Sequence, residues 1–272
     1  MNCETKIEKQ TPKLICFDLD GTLYQDRIIY KHIIEHFFQD TPYSEWIQPI
    51  QNKMDRILKG EETLKSGQFV PKKQAEHPEK MEDLFDVPGE AALLLKTPEQ
   101  WLDRKKYSYI SDGWTLAMYL ARRIGWEGER FWKRFQKARE ELVGETFGPK
   151  PDEELRQLLM GLREKGMYLV LCSNAKRSGG EALLTHLNLM DCFDEIIFDA
   201  DKPHSMKARM DAWEMKPEDM LFIGDQGYYD LYAGKCYGAR TMLVSPYDIE
   251  DQGLWDMRRY TVEDLKEFLK TI

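Results

Sequence analysis

Asp18 and Asp20 stand two residues apart where the apolar run Leu14–Phe17 ends, and Gly21 and Thr22 follow them. Alternate side chains of a strand share a face. The spacing therefore aims both carboxylates at one site at the carboxyl end of a strand, the edge where open α/β sheets bind ligands. An Asp-Gly turn that merely ends a strand spells the same letters, so the pair needs support from elsewhere in the chain.

Three later apolar runs end in polar residues of complementary kinds. "LCSNA" puts Ser173 and Asn174 after one run, "DADKPHS" puts Lys202 after the next, and "FIGDQGYYD" puts Asp225 and Asp230 after a third. In a parallel sheet those ends share one edge. Two acids, a hydroxyl, an ammonium and two more acids suit phosphoryl transfer. Asp18 and Asp225, with main-chain carbonyl and water oxygens, suit Mg²⁺, a hard ion that takes oxygen ligands. The metal and Lys202 would offset charge on the transferring group. Ser173 can donate to a phosphoryl oxygen, with Asn174 beside it and the amides near Gly21 and Thr22 as further donors. One carboxylate of the first pair could attack phosphorus and form an acyl phosphate. The other could hand a proton to the leaving oxygen.

The elements that must position these residues can be read from periodicity. "LICF", "YLVLC", "EIIF", "MLFI" and "TMLV" read as buried parallel strands, and after Pro151 amphipathic stretches separate the last four. Gly166 falls where a helix would end. From about Gln25 to Gly148 that rhythm breaks. The segment holds helical patterns such as "RIIYKHIIEHFF" and "GWTLAMYLARRIG" but no strong strand, and "SDGW" offers Ser111 or Asp112 as a helix cap. Lys59 to Pro88 is polar and reads as loops. The expected organisation is an N-terminal arm (1–12), an α/β core (13–24 and 149–272) and a helical insert (25–148). The expected fold class is α/β, with a Rossmann-like parallel sheet, helices on both of its faces, and a helical domain inserted after strand 1.

Composition narrows the partners. The 272 residues carry a formal net charge of −9, which disfavours a nucleic acid polymer because counterion release needs a basic surface. A small anion can still bind in a local pocket. The five Cys follow no metal or redox spacing. The first twelve residues are polar and no run is long enough for a bilayer, so no membrane association is expected and the expected location is cytoplasmic.

"DLDGT", the Ser of "LCSNA", the Lys of "DKP" and "GDxxxxD" resemble, in order, the four motifs of the haloacid dehalogenase-like hydrolase superfamily. The resemblance implies that Asp18 is the nucleophile. It implies that Asp20 is the general acid and base, its main-chain carbonyl on Mg²⁺. Ser173 and Lys202 would hold the phosphoryl group, Asp225 would ligate the metal, and Asp230 would be a further acidic partner outside the direct ligands. Lys207 is a second candidate for the basic role; "KP" favours Lys202. Dehalogenases of this superfamily lack the second Asp of the first motif, so Asp20 favours phosphate chemistry. The insert resembles the family's first type of cap, which closes over the site and selects substrate. The expected activity is Mg²⁺-dependent hydrolysis of a small phosphorylated metabolite. A phosphomutase of the same superfamily and a non-catalytic ligand-binding member are the alternatives.

Other sharp patterns read as ordinary structure. "HIIEH" places His32 and His36 on one helix face with Glu35 between them, a zinc-like spacing without a third ligand in context. "ARRIG" and "KARE" read as solvated basic faces. The five Trp of the insert, Trp46, Trp101, Trp114, Trp126 and Trp132, read mainly as its core.

Overall fold

A strand apolar on both faces has to lie inside a sheet that is covered on both sides. Leu14–Phe17 forms such a strand, β1, with all its residues buried. The computed structural model describes residues 11–26, 28–72, 78–87, 103–143, 148–250 and 253–272. After β1 come α1 (Ile29–Phe38), α2 (Ile47–Leu58), β2 (Gln68–Pro71), β3 (Tyr107–Ile110), α3 (Gly113–Arg123) and α4 (Gly128–Glu140). The chain continues with α5 (Glu153–Glu164), β4 (Tyr168–Cys172), α6 (Arg177–His186), β5 (Glu195–Ile197) and α7 (Met206–Ala212). It closes with β6 (Met220–Gly224), α8 (Tyr232–Cys236), β7 (Arg240–Val244), β8 (Met257–Arg259) and α9 (Val262–Leu269). By contacts it divides into two units. One comprises Met1–Gln25, Pro149–Pro246 and Gly253–Ile272; the other comprises Asp26–Gly148 and Tyr247–Gln252.

The first unit is an α/β fold, a Rossmann-like parallel sheet with helices on both faces. Its strand order is β5-β4-β1-β6-β7-β8. Every neighbouring pair is parallel, and Phe17 lies level with Leu171 of β4 and Ile223 of β6. The central position of β1 puts Asp18 between the ends of its two neighbours. Local signals set the helix ends. Asp152 caps α5 by accepting the Leu155 N–H at 2.9 Å, and Gly166 leaves that helix at φ +86°, a conformation glycine adopts at no steric cost. The sequence reading misses β8, a short edge strand in which only Met257 is buried.

The second unit is mainly helical. Helix α1 buries Ile29, Tyr30, Ile33, Ile34, Phe37 and Phe38 along one stripe of helical period. Phe37 stacks on Phe131 at 4.9 Å and meets Trp126 edge-on at 5.6 Å. Asp112, not Ser111, caps α3, accepting the Thr115 N–H at 2.7 Å. The absence of a strand expected here is corrected by β2 and β3, which pair antiparallel with Gln68 opposite Ile110. The polar stretch Lys59 to Pro88 accordingly holds β2 and a tight turn of helix, Met81–Leu84. Trp46, Trp114 and Trp126 pack against the apolar core, while Trp132 is 50% exposed. Trp101, Cys3 and residues 1–10 of the expected N-terminal arm lie outside the described residues. Among the described residues no helix is long and apolar enough to cross a membrane.

Candidate active site

The site grows from the carboxyl ends of β1, β4 and β6 and from the loop after β5. Asp18 follows β1 directly, and its N–H donates to the Ile223 carbonyl of β6 at 2.9 Å. This bond carries the sheet ladder one residue further and fixes the Asp18 backbone. Ser173 follows β4, anchored by its own N–H on the Ile197 carbonyl at 2.8 Å. Its hydroxyl accepts the Ala175 N–H at 3.1 Å, which leaves the hydroxyl proton able to donate. Asp225 follows β6.

Lys202 arrives on a loop that passes through left-handed backbone at Asp199 (φ +49°) and Asp201 (φ +56°). Single Asp residues tolerate that region better than most. The loop is held from both sides. Asp199 accepts from Lys176 and from the Arg177 N–H, and the Asn174 side-chain oxygen accepts the Lys202 N–H at 2.8 Å. Asn174 thus positions the loop through its oxygen. The Lys202 ammonium then donates to Asp18 Oδ1 and to Asp230 Oδ1, both at 2.6 Å. Lys207, the competing candidate, is half exposed and pairs with Asp211.

Asp18, Asp225 and Asp230 form a cluster whose carboxylate oxygens lie within 4.8 Å of one another. All three are buried, at 8%, 4% and 6% exposure, and Lys202 is at 3%. Asp230 has both oxygens engaged, one by Lys202 and one by the Gln226 N–H at 2.9 Å. Two glycines make room for the acids. A Cβ on Gly21, whose φ is +78°, would fall 2.4 Å from Asp225 Oδ2, and one on Gly224 would fall 2.3 Å from Asp230 Cβ. The Thr22 side chain is fully buried, and its hydroxyl has no hydrogen-bond partner among the described residues. The Thr22 N–H reaches the Leu19 carbonyl at 3.4 Å within the turn.

The electrostatics ask for another cation. Three carboxylates against one ammonium leave a formal charge of −2 in a buried space. Burial, and then the Asp230 charge, push the Asp18 carboxyl well above the usual carboxylate range, against the opposing pull of Lys202. Burial alone would lower Lys202, but Asp18 and Asp230 outweigh it and raise the ammonium well above an ordinary lysine. The donor set is all oxygen, its excess charge matches one divalent ion, and Gly21, lacking a Cβ, leaves the Asp225 carboxylate its space. These residues fit a hard cation such as Mg²⁺.

Asp20 is half-buried and accepts from the Tyr24 hydroxyl at 2.6 Å. The sequence reading passes over Tyr24. No letter around it marks its hydroxyl as a partner of Asp20, and only the turn that brings positions 20 and 24 side by side reveals it. The zinc-like "HIIEH" pattern dissolves in the structure. His32 pairs with Glu35 and His36 with Glu141, each at 3.0 Å, and the Asp18 cluster is the one potential metal group among the described residues.

The fold is thus an α/β scaffold whose parallel sheet carries a buried acid–lysine cluster at the end of its central strand. The family model of haloacid dehalogenase-like hydrolases matches residues 12–238, and the chain belongs to that family. Three solved structures share its fold. A protein from Clostridium difficile, assigned as a phosphatase, aligns with TM-score 0.55 at 15% identity, over 96% of this chain and 100% of that one. A protein from Thermotoga maritima, assigned as a β-phosphoglucomutase, gives 0.53 at 15% over the same shares. YfnB from Bacillus subtilis, assigned as a HAD-hydrolase and solved bound to magnesium, gives 0.52 at 16%, again over 96% and 100%. At such identities the likeness speaks for the fold alone. No curated protein matches the chain significantly.

Proposed function

We propose that the protein is a Mg²⁺-dependent phosphatase that hydrolyses a small phosphate monoester through an aspartyl-phosphate intermediate. The observation that carries this reading is the Lys202 ammonium shared between Asp18 and Asp230, with the Asp225 carboxylate in the same cluster. In this reading Asp18, Asp225 and the main-chain carbonyl of Asp20 hold the metal. When bound, Mg²⁺ supplies positive charge that offsets the phosphoryl oxygens.

Asp18 attacks phosphorus with a carboxylate oxygen, and the bond from phosphorus to the ester oxygen breaks. Asp20 gives its proton to that leaving oxygen. A water then attacks the phosphorus of the acyl phosphate and loses a proton to Asp20. Inorganic phosphate leaves, and the Asp18 carboxylate and the Asp20 acid are both restored. Lys202 favours the ionised form of Asp18 and faces the charge that builds on the transferring group. Ser173 and the Gly21–Thr22 turn offer hydrogen-bond donors to the phosphoryl oxygens, and the buried Thr22 hydroxyl gains a partner. Tyr24 holds Asp20 in position. The second carboxylate of the first motif argues for phosphate chemistry over carbon–halogen cleavage.

The test is phosphate release from a panel of small phosphate esters, with Mg²⁺ and with EDTA. Turnover is expected only with the metal, and Asp18→Asn is expected to abolish it. A wild-type chain inert on every ester, and no different from Asp18→Asn, would sink the proposal. Transfer of the phosphoryl group to a second sugar position without release of phosphate would instead identify a mutase.

A further inference from the structure

Beyond that chemistry, the helical unit contains a cationic pocket of its own. It encloses about 240 Å³, and all its described lining residues belong to that unit. Among the described residues, Lys72, Arg104, Lys105, Arg122 and Arg123 supply five cations to the wall against one carboxylate, Glu127. That balance is the reverse of the chain as a whole, whose net charge is −9.

The fold gathers these charges from separate elements. Lys72 follows β2, and its ammonium donates to the Arg104 carbonyl at 2.6 Å, which ties the two chain segments together beyond the β2–β3 pair. Arg122 and Arg123 end α3. Arg123 is buried, and its guanidinium is bound to the main-chain carbonyls of Leu84 at 3.2 Å, and of Asp83 at 2.7 Å and Asp86 at 3.0 Å. The solvated face expected for "ARRIG" is thus corrected at Arg123. Arg122 lies over the Phe131 ring at 4.6 Å, a cation–π contact that fixes the direction of its charge. Burial first, and then the Arg122 and Arg104 charges, bring the Lys72 ammonium down to about 8.

An independent observation points the same way. Tyr119 lines the pocket at 1% exposure, and its hydroxyl has no hydrogen-bond partner among the described residues. A buried hydroxyl left unbonded is costly, so a native chain keeps one where something else completes it. Trp132, half exposed, sits on the same wall.

We infer that this pocket binds the polyphosphate group of a small ligand, with Tyr119, Arg122, Arg104, Lys105 and Lys72 as its donors. A single carboxylate would engage only part of so many cations, whereas a di- or triphosphate presents several anionic oxygens in a compact volume. A nucleic acid strand fits poorly, since it would meet the acidic remainder of the chain.

The test is titration calorimetry on the full chain in low salt with EDTA, using pyrophosphate, inorganic phosphate and ATP as probes. Pyrophosphate is expected to bind one to one, more tightly than phosphate and more weakly as KCl is raised. If ATP binds tighter still and Trp132→Ala removes that gain, the ligand is a nucleotide; if ATP binds no tighter than pyrophosphate, it is a free polyphosphate. Arg104→Gln combined with Lys105→Gln, both exposed positions, is expected to weaken binding about tenfold or more. Tyr119→Phe is expected to weaken it several-fold with no fall in Tm, a separation that a purely structural hydroxyl would not give. Asp18→Asn should bind as the wild type does. The inference fails if no probe binds at millimolar concentration. It fails equally if binding is lost in Asp18→Asn yet unmoved in the Arg104/Lys105 and Tyr119 variants.

Discussion

Replacing Lys202 by methionine keeps most of the apolar stem and removes the ammonium that Asp18 and Asp230 share at 2.6 Å each. Both carboxylates are then left buried without their cation. Deleting one partner of a buried ion pair costs about 3–5 kcal/mol. A second route reaches the same figure. A stranded carboxylate can escape by taking up a proton, which at pH 7 costs about 1.36 × (7 − 3.9), roughly 4 kcal/mol, for an unfolded-state pKa near 3.9. Lys202→Met is therefore expected to lose about 4 kcal/mol of stability at pH 7 in EDTA.

The sign of the pH dependence follows from the same step. A carboxyl raised in the folded state makes the native chain bind the extra proton, so stability falls as pH rises above about 4. At pH 5 the proton costs only about 1.36 × (5 − 3.9), roughly 1.5 kcal/mol, and the deficit should shrink by more than half. Adding Asp230→Asn removes one of the two stranded charges, and with it the repulsion on Asp18, and should return part of the loss at pH 7. The assay is urea unfolding followed by circular dichroism at pH 5 and pH 7 on wild type, single and double variants. A wild-type midpoint for Lys202→Met at pH 7, or an equal loss at both pH values, would refute the reasoning.

Gly21→Ala forces a Cβ to within 2.4 Å of Asp225 Oδ2 at a φ of +78°; the backbone alone should cost about 1–2 kcal/mol. The Mg²⁺ concentration for half-maximal turnover should rise, and an unchanged Mg²⁺ titration would count against Asp225 as a ligand. Tyr24→Phe removes the 2.6 Å donor to Asp20; steady-state kinetics should show kcat down about tenfold with KM held, the mark of a lost transition-state interaction. Asp152→Ala removes the cap of α5 and a 2.9 Å partner of buried Lys266, for a loss of about 1–2 kcal/mol. Against the upward push of burial, the Leu155 N–H and Lys266 hold the Asp152 carboxyl below its usual range, and Lys270 and Lys266 hold Glu154 at about 2. Their stabilisation is complete above about pH 4 and fades as pH falls toward 2. Urea midpoints at pH 6 and pH 3 should therefore show the Asp152→Ala deficit narrowing in acid.

Those positions also mark where sequence was enough and where it was not. Strands β1, β4 and β6 lie inside the sheet and spell nearly unbroken apolar runs, so their ends, and with them Asp18, Ser173 and Asp225, could be numbered from text alone. A sheet edge makes no such demand. β8 reads Met-Arg-Arg because only one residue must be dry. β2 reads Gln-Phe-Val-Pro, with a proline that a central strand would refuse, and its partner β3 lies far along the chain. Lys202 and Lys207 follow the same strand five residues apart, and letters alone weigh them by a motif. Coordinates separate them by burial, one inside with two carboxylates and the other outside with Asp211. Tyr24 and Tyr119 carry no signal in the sequence, since a hydroxyl's partner is a tertiary fact. One hydroxyl meets Asp20, and the other lines a cationic pocket without a bond among the described residues. A net charge of −9 excludes a basic surface in the mean, but five cations drawn from three stretches of chain converge on one wall, and a mean charge contains no information about convergence.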